Sequence, residues 1–300
     1  IGKNTVTFLN KKKSLDLILI DKKTKPKLKM FDSIKYIKFD LNDNLREKLI
    51  KIQPDIIIHL AALTSVTESE INKKIYYKNN FIITKNICNY CLEFNKKIVL
   101  ASSAAVYRSK NIAIKENDNR KPKNFYGKTK FLSENFIINK FSRKGSYIIL
   151  RFFNVAGGDK KNKITFSNYN FPVFKVLSLA IKNNRKFLIY GKNPKNDKTA
   201  IRDYIHVFDI AKIISLSIDH LITNKKNLIL NCCNGVKTTI LDLVKIFKKI
   251  SKKNLRFEII KKRKGEDFIF FGNNTKLKKE LKIKLRYSLK KIVKDSYDSI

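Results

Sequence analysis

Ile98-Val-Leu-Ala-Ser-Ser103 is a short uncharged run that opens on β-branched and aliphatic residues and closes on two serines. Such a run reads as a strand buried on both faces, the kind found in parallel sheets. Working outward, Leu17–Asp21, Tyr36–Phe39, Asp55–Leu60 and Tyr147–Phe153 have the same character, and amphipathic stretches of helical period separate most of them. Strands alternating with helices predict βαβ units and a parallel sheet. In such sheets ligands bind beyond the carboxyl ends of the strands, so the polar residues closing these runs, Asp21, Asp40 and Ser103, are candidate contacts.

Downstream of Ser103 lies Lys121-Pro-Lys-Asn-Phe-Tyr-Gly-Lys-Thr-Lys130. Tyr126 and Lys130 stand at i and i+4, on one helix face. The lysine is expected to hold the phenol below its usual pKa, so that Tyr126 can serve as a general base. Tyr287 and Lys291 repeat the spacing without a strand-end serine before them, which makes the first pair the stronger candidate.

The chain has 300 residues, 43% of them hydrophobic, enough for a sizeable core in one large domain or two lobes. A formal charge of +41 suggests a polyanion partner, but the lysines are spread through nearly every segment beside abundant Asn, Ile and Phe. That bias fits an A/T-rich coding sequence better than a binding face, so no specific nucleic-acid partner is expected. No apolar run reaches the roughly 18 residues of a membrane span, and no signal-peptide pattern opens the chain, so a cytoplasmic protein without membrane attachment is expected. Cys88 and Cys91 have CxxC spacing, yet with Ile87 and Leu92 they form an apolar stripe. Core packing is the better reading for them, no metal centre is expected, and Cys232 and Cys233 likewise fit a reducing compartment.

The first residues carry a partial cofactor signature. Ile1-Gly2 and the helical pattern after it resemble the last glycine of a phosphate-binding turn and the helix behind it. The preceding strand and glycines are expected upstream of residue 1, and an N-terminally extended chain is expected to bind NAD better than this one. Asp21, about 20 residues beyond Gly2, suits the ribose hydroxyls of a dinucleotide and disfavours a 2′-phosphate, so NAD is expected over NADP.

Six stretches in order carry a family resemblance: His59-Leu-Ala-Ala-Leu-Thr-Ser-Val-Thr-Glu-Ser69, Ser102-Ser-Ala-Ala-Val-Tyr107, Phe125-Tyr-Gly-Lys-Thr-Lys130, Leu150-Arg-Phe-Phe-Asn-Val-Ala-Gly157, Arg202-Asp-Tyr-Ile-His-Val207 and Arg263-Lys-Gly-Glu266. With them the chain resembles the UDP-glucose 4-epimerases among the extended short-chain dehydrogenases/reductases, from Gly2 to about Tyr297. The resemblance implies an α/β fold, a Rossmann-like parallel sheet flanked by helices with a smaller interleaved α/β substrate-binding lobe. Residues 1–155 would form the NAD-binding part, receiving later segments around 199–235, and 156–198 with 236–300 mainly the nucleotide-sugar lobe.

By the same resemblance Tyr126 is the catalytic base and acid, Lys130 its partner and an NAD-ribose ligand, and Ser103 the hydroxyl on the sugar's 4-OH. Asp40 and Leu41 would border the adenine, Ala61 and Ala62 the pyrophosphate, and Asn79, Ser102 and Phe153 would complete the cofactor cleft with Gly2 and Asp21. Asn154, Arg202 and Arg263 would hold the diphosphate, Leu188 and Tyr190 the uracil, and Glu266 the uridine ribose. A homodimer paired through helices near 72–94 and 125–142 is expected.

Thr64, Ile83, Phe125, Glu266 and Phe270 depart from common family residues and leave the choice between plain and N-acetylated hexoses open. Related decarboxylases and dehydratases are the nearest alternatives. Dehydratases carry acids after the catalytic serine or threonine, whereas Ala104 and Ala105 follow Ser103 here. A non-catalytic basic binding protein on the same fold is the alternative of a different class.

Overall fold

The computed structural model describes residues 1–26, 31–142, 145–159, 173–191, 199–223, 226–261 and 268–300. Its contacts divide the chain into two compact units, each assembled from separated segments. The first comprises Ile1–Arg108, Asn119–Phe152 and Ala211–Leu230; the second comprises Ser109–Asp118, Phe153–Ile210 and Asn231–Ile300.

The first part of the chain alternates α1 (Gly2–Leu9), β1 (Ile18–Asp21), β2 (Lys35–Lys38), α2 (Leu45–Ile52), β3 (Ile56–His59), α3 (Val66–Ile71) and α4 (Lys73–Tyr76). A π-helical segment, Tyr77–Ile82, leads into α5 (Ile83–Glu93), followed by β4 (Lys97–Ser103), a 3₁₀ turn at Ala104–Val106, α6 (Phe125–Phe141) and β5 (Tyr147–Phe152). Beyond lie β6 (Asn154–Ala156), α7 (Val173–Lys182), β7 (Phe187–Gly191), β8 (Ile201–Arg202), β9 (Tyr204–His206), α8 (Val207–Thr223) and β10 (Leu228–Cys232). The chain finishes with β11 (Thr238–Thr239), α9 (Ile240–Ser251), β12 (Phe257–Lys261), β13 (Ile269–Phe270), α10 (Thr275–Leu281) and α11 (Leu289–Asp298).

Strands β10, β5, β4 and β3 form one sheet in that order, with β3, β4 and β5 running parallel. The five strand runs read from the sequence all appear, displaced by no more than a residue or two at their ends. Strand β4 is buried from Ile98 to Ser102 and β5 along its whole length, which is why their sequences are continuously apolar rather than alternating. Helices cover one face of the sheet: Ile87, Cys88 and Cys91 of α5 and Ile137 and Phe141 of α6 pack into one cluster with Ile98, Leu100 and Ile149. Burying such side chains is worth about 1.5–3 kcal/mol each. The CxxC pair is thus core packing, with both thiols free and burial pushing the Cys91 pKa up to about 12. Strands β1 and β2 form a separate parallel pair that brings Asp21 level with Lys38.

In the second unit, β6 pairs with β9, β12 with β7, and β11, β8 and β13 form a small sheet. Phe174, Tyr204, Leu243, Phe247 and Ile292 centre its core. Helix α9 is fixed at its start by reciprocal bonds between Thr239 and Asp242, a capping box. Asp203, fully buried, accepts the backbone N–H groups of Asn234 (2.8 Å), Gly235 (2.9 Å) and Gly272 (3.3 Å), tying two separate segments to one carboxyl. Tyr287 stacks on His206, with ring centroids 4.1 Å apart, and Lys291 bonds Asp295, so the second Tyr/Lys pair is spent on packing.

One close approach sets the site. Helix α6 opens at its cap Asn124, whose side chain accepts the Gly127 N–H at 2.7 Å. A Cβ added at Gly127 would lie 2.3 Å from the Ala105 carbonyl oxygen, so only glycine lets the helix touch the turn that follows β4. Gly127→Ala is expected to destabilise the protein by about 1–3 kcal/mol through this backbone clash. Urea denaturation of the two proteins checks it, and an unchanged midpoint would contradict the contact.

Candidate active site

Ser103 closes β4, and its Oγ accepts the Ala105 N–H at 3.1 Å inside the 3₁₀ turn. The first turn of α6 is held against the end of α3. The Phe125 N–H donates to Glu70 (2.7 Å) and the Tyr126 N–H to Ser69 Oγ (3.0 Å). Sheet and helix thereby bring Ser103 and Tyr126 together, and a hydrogen bond joins the hydroxyl to the phenol. Lys130, one turn on, is buried, and its ammonium donates to the Ala101 carbonyl at 2.9 Å.

The electrostatics differ from the expectation drawn from spacing. Desolvation raises the Tyr126 pKa above its ordinary value, with the Ser103 bond pulling the other way. The lysine does not offset this, because its ammonium is turned to the Ala101 carbonyl. Burial lowers Lys130 itself to about 8, against the opposing charge of Glu134. His59, at the end of β3, bonds Thr84 (3.1 Å) and is brought down to about 3 by burial and the nearby Lys130 charge, so it stays neutral.

The residues expected on the cofactor side fall into four places in the first unit. Gly2 opens α1, with nothing within 4 Å of the position its Cβ would take. Asp21 ends β1 in an exposed position, and one of its oxygens accepts the Lys23 N–H at 2.9 Å. Asp40 follows β2; the backbone N–H and side-chain amide of Asn42, each 2.9 Å away, hold its carboxyl below the usual range. Leu41 packs on the core beside it, and Ala61 and Ala62 line the loop after β3, the former exposed.

Two expectations on this side need correction. Ser102 does not face outward with Ser103: successive strand residues point to opposite faces, and its buried hydroxyl donates to Glu134 at 2.5 Å. Asn79 bonds Ile75 and Asn42 at a partly exposed position, whereas its neighbour Asn80 is fully buried. Asn80 both donates to and accepts from the Leu63 backbone (2.9 and 2.8 Å) and bonds Thr129 of α6 at 3.2 Å. It therefore ties the loop of Ala61 and Ala62 to α6. The π-helical segment, which adds a residue to the turn, sets which asparagine points inward.

The remaining candidates belong to the second unit. Phe153 is buried and tilts against Phe270, with centroids 5.7 Å apart. Asn154 opens β6, and both its backbone N–H and its side-chain amide donate to the Asp203 carbonyl (3.2 and 3.0 Å). Leu188 and Tyr190 share the more open face of β7, opposite the buried Phe187, Ile189 and Gly191. Arg202 on β8 donates to the carbonyls of Ile201 (2.9 Å) and Phe268 (3.3 Å). Arg263 and Glu266 lie outside the described residues.

Among the described residues no group of His, Cys, Asp and Glu could hold a metal ion, and no helix is long and apolar enough to cross a membrane. The dinucleotide side fits a different ligand. Asp21 and Asp40 offer carboxylate acceptors at strand ends, and the buried side-chain oxygen of Asn42 has no partner, an acceptor left over beside the residues expected at an adenine. Lys130 adds a buried cation that could turn from a main-chain carbonyl to a hydroxyl.

The comparisons with known proteins agree with this geometry. The family model described as NAD dependent epimerase/dehydratase family matches residues 1–233. A UDP-glucose 4-epimerase of Cyamopsis tetragonoloba is 32% identical over 257 residues, 82% of this chain and 73% of the relative. Another, from Mycoplasma genitalium, is 34% identical over 269 residues, 84% of this chain and 77% of the relative. A solved UDP-glucose 4-epimerase from Bifidobacterium longum, in complex with NAD+ and UDP, has a TM-score of 0.86 at 25% identity, covering 99% of this chain and 93% of its own. With a parallel sheet ending in Ser103, and with Tyr126 and Lys130 on the helix packed against it, the chain belongs to the NAD dependent epimerase/dehydratase family.

Proposed function

We propose that the protein interconverts the C4 epimers of a UDP-hexose, UDP-galactose and UDP-glucose, through a 4-keto sugar. The observation that carries this reading is the convergence of Ser103, Tyr126 and Lys130 at the end of β4, in a chain whose curated relatives are named UDP-glucose 4-epimerases. NAD would be held by Asp21 and Asp40 at strand ends, by Leu41, by the Ala61–Ala62 loop that Asn80 fixes, and by Lys130 at the nicotinamide ribose. Bound there, NAD would supply the hydride acceptor and donor that epimerisation at carbon four requires.

The chain's own groups manage the proton. Tyr126 takes it from the 4-OH and gives it back after the sugar has turned, with Ser103 holding both phenol and sugar hydroxyl. The desolvated phenol needs a positive charge to ionise near neutral pH. Lys130 supplies it when its ammonium swings from the Ala101 carbonyl toward the ribose and the phenol. In the second unit, Leu188 and Tyr190 would flank the uracil and Asn154 and Arg202 would bind the diphosphate, an arginine matching phosphate oxygens with paired donors. Arg263 and Glu266 are assigned to the diphosphate and uridine ribose on the resemblance alone.

Homodimer formation is part of the same reading. Ile71, Ile75 and Tyr77 are exposed on the helices before α5, Ile71 to 78%, and apolar residues on that face are what a helix-packed dimer would bury. A cytoplasmic location accords with four buried free cysteines.

Incubating the full-length protein with UDP-galactose, without added NAD, is expected to yield UDP-glucose; no conversion of this sugar or its N-acetylated counterpart would refute the reading. Tyr126→Phe is expected to lower turnover by about 10²–10⁴-fold, and near-normal turnover would remove the residue from its role. Because Lys130 acts as the ammonium and burial brings its pKa to about 8, activity is expected to fall as pH rises through that region. A profile flat to pH 10 would contradict it.

A further inference from the structure

Helix α6 carries a third polar residue on the face of Tyr126 and Lys130. Glu134 follows Lys130 by four positions and Tyr126 by eight, so the three form one stripe down the helix. Glu134 is fully buried. Its Oε1 accepts the Ser102 hydroxyl (2.5 Å) and Arg151 Nε (3.0 Å), and its Oε2 accepts Arg151 Nη2 (2.7 Å) and Arg120 Nη1 (3.0 Å). Arg151 is 1% exposed, lies opposite Ser102 in the β4–β5 register, and caps the Tyr107 ring and hydroxyl. Strand β4, strand β5, the segment before α6 and α6 itself therefore meet at one carboxylate, and Tyr107 joins through Arg151.

This arrangement exceeds what stability requires. A buried ion pair is often no better than a hydrophobic replacement of the same volume, so its value lies in the geometry it fixes. Here the fixed quantities are the distance from Ser103, whose neighbour Ser102 is bonded, to Tyr126 and Lys130, which share the carboxylate's helix. We propose that Glu134 is a positioning residue for the reaction: paired with Arg151 and bonded by Ser102, it locks the end of β4 to α6 and keeps a negative charge beneath Lys130. The inference rests on the epimerase reading above.

The charged and titratable groups around this carboxylate and Lys130 are Tyr126 on the same helix, His59 on β3, Tyr107 after the turn, Arg151 on β5 and Arg120 before α6. His59 stays neutral, with a pKa of about 3, and the arginines keep their charge. Among these, the Glu134 charge raises the Lys130 pKa against the cost of burial. Its removal should make Lys130 lose its proton at lower pH.

Three variants separate positioning from mere support. Glu134→Gln keeps the shape and removes the charge; it is expected to lower kcat by about 10²-fold. KM for the UDP-sugar should hardly change, and the basic limb of the pH profile should move to lower pH. Because this variant leaves Arg151 buried without its counter-ion, the double variant Glu134→Gln/Arg151→Met is measured beside it, with thermal melting followed by circular dichroism. The double variant should regain melting temperature but neither kcat nor the original basic limb. Ser102→Ala, which removes a single bond to the carboxylate, should lower kcat several-fold with melting nearly unchanged. Recovery of kcat and of the pH limb in the double variant, together with full activity of Ser102→Ala, would overturn the proposal and leave Glu134 a structural residue. A wild-type protein that converts no UDP-sugar would instead overturn the epimerase reading.

Discussion

The placing of Ser103, Tyr126 and Lys130 depends on how closely α6 approaches the end of β4. Two features set that distance from opposite ends of the contact. At the first turn Gly127 leaves room for the Ala105 carbonyl, and two turns later the carboxylate of Glu134 draws in Ser102 and Arg151. One is a steric limit and the other an electrostatic attraction between buried groups, where removing one partner of a buried pair costs about 3–5 kcal/mol. Tyr126, just before Gly127, and Lys130, between Gly127 and Glu134, therefore have little freedom to choose their own positions.

The second unit solves a comparable problem with backbone groups. Asp203 is buried like Glu134, but the groups that converge on it are the main-chain N–H groups of Asn234, Gly235, Val236 and Gly272, while burial raises its pKa to about 6. Its own carbonyl receives both donors of Asn154, and its neighbour Arg202 bonds nearby carbonyls. Asn154 and Arg202 thus stand beside a buried carboxyl in the second unit, as Tyr126 and Lys130 share a helix with one in the first. Polar groups of this kind are tolerated only when fully bonded, so they fix a single arrangement of the segments around them.

Much of this was legible in the sequence because burial on both faces leaves a direct trace. The runs at Leu17–Asp21, Asp55–Leu60, Ile98–Ser103 and Tyr147–Phe153 could be read as parallel strands from their apolar continuity. The Tyr126/Lys130 spacing was visible as well, whereas the need for glycine at 127 follows only from the approach of the Ala105 carbonyl. The side-chain directions were not. Asn79 and Asn80 are chemically identical neighbours, and only the π-helical segment determines that Asn80 enters the interior. Ser102 and Ser103 differ only in which face of β4 they occupy. Glu134 looked like one more helix charge in a lysine-rich chain, because its partners Ser102, Arg120 and Arg151 are brought to it by the fold. The Lys130 effect on Tyr126 is hidden for a similar reason: spacing places two groups on a face but does not say that Ala101 will claim the ammonium.

The central claim is that this site removes hydrogen from carbon four and restores it to that same carbon while Tyr126 handles only the hydroxyl proton. Following UDP-galactose deuterated at carbon four through the reaction in ordinary water tests it most directly. The account predicts UDP-glucose that retains its deuterium at carbon four. Product carrying solvent hydrogen there would contradict it.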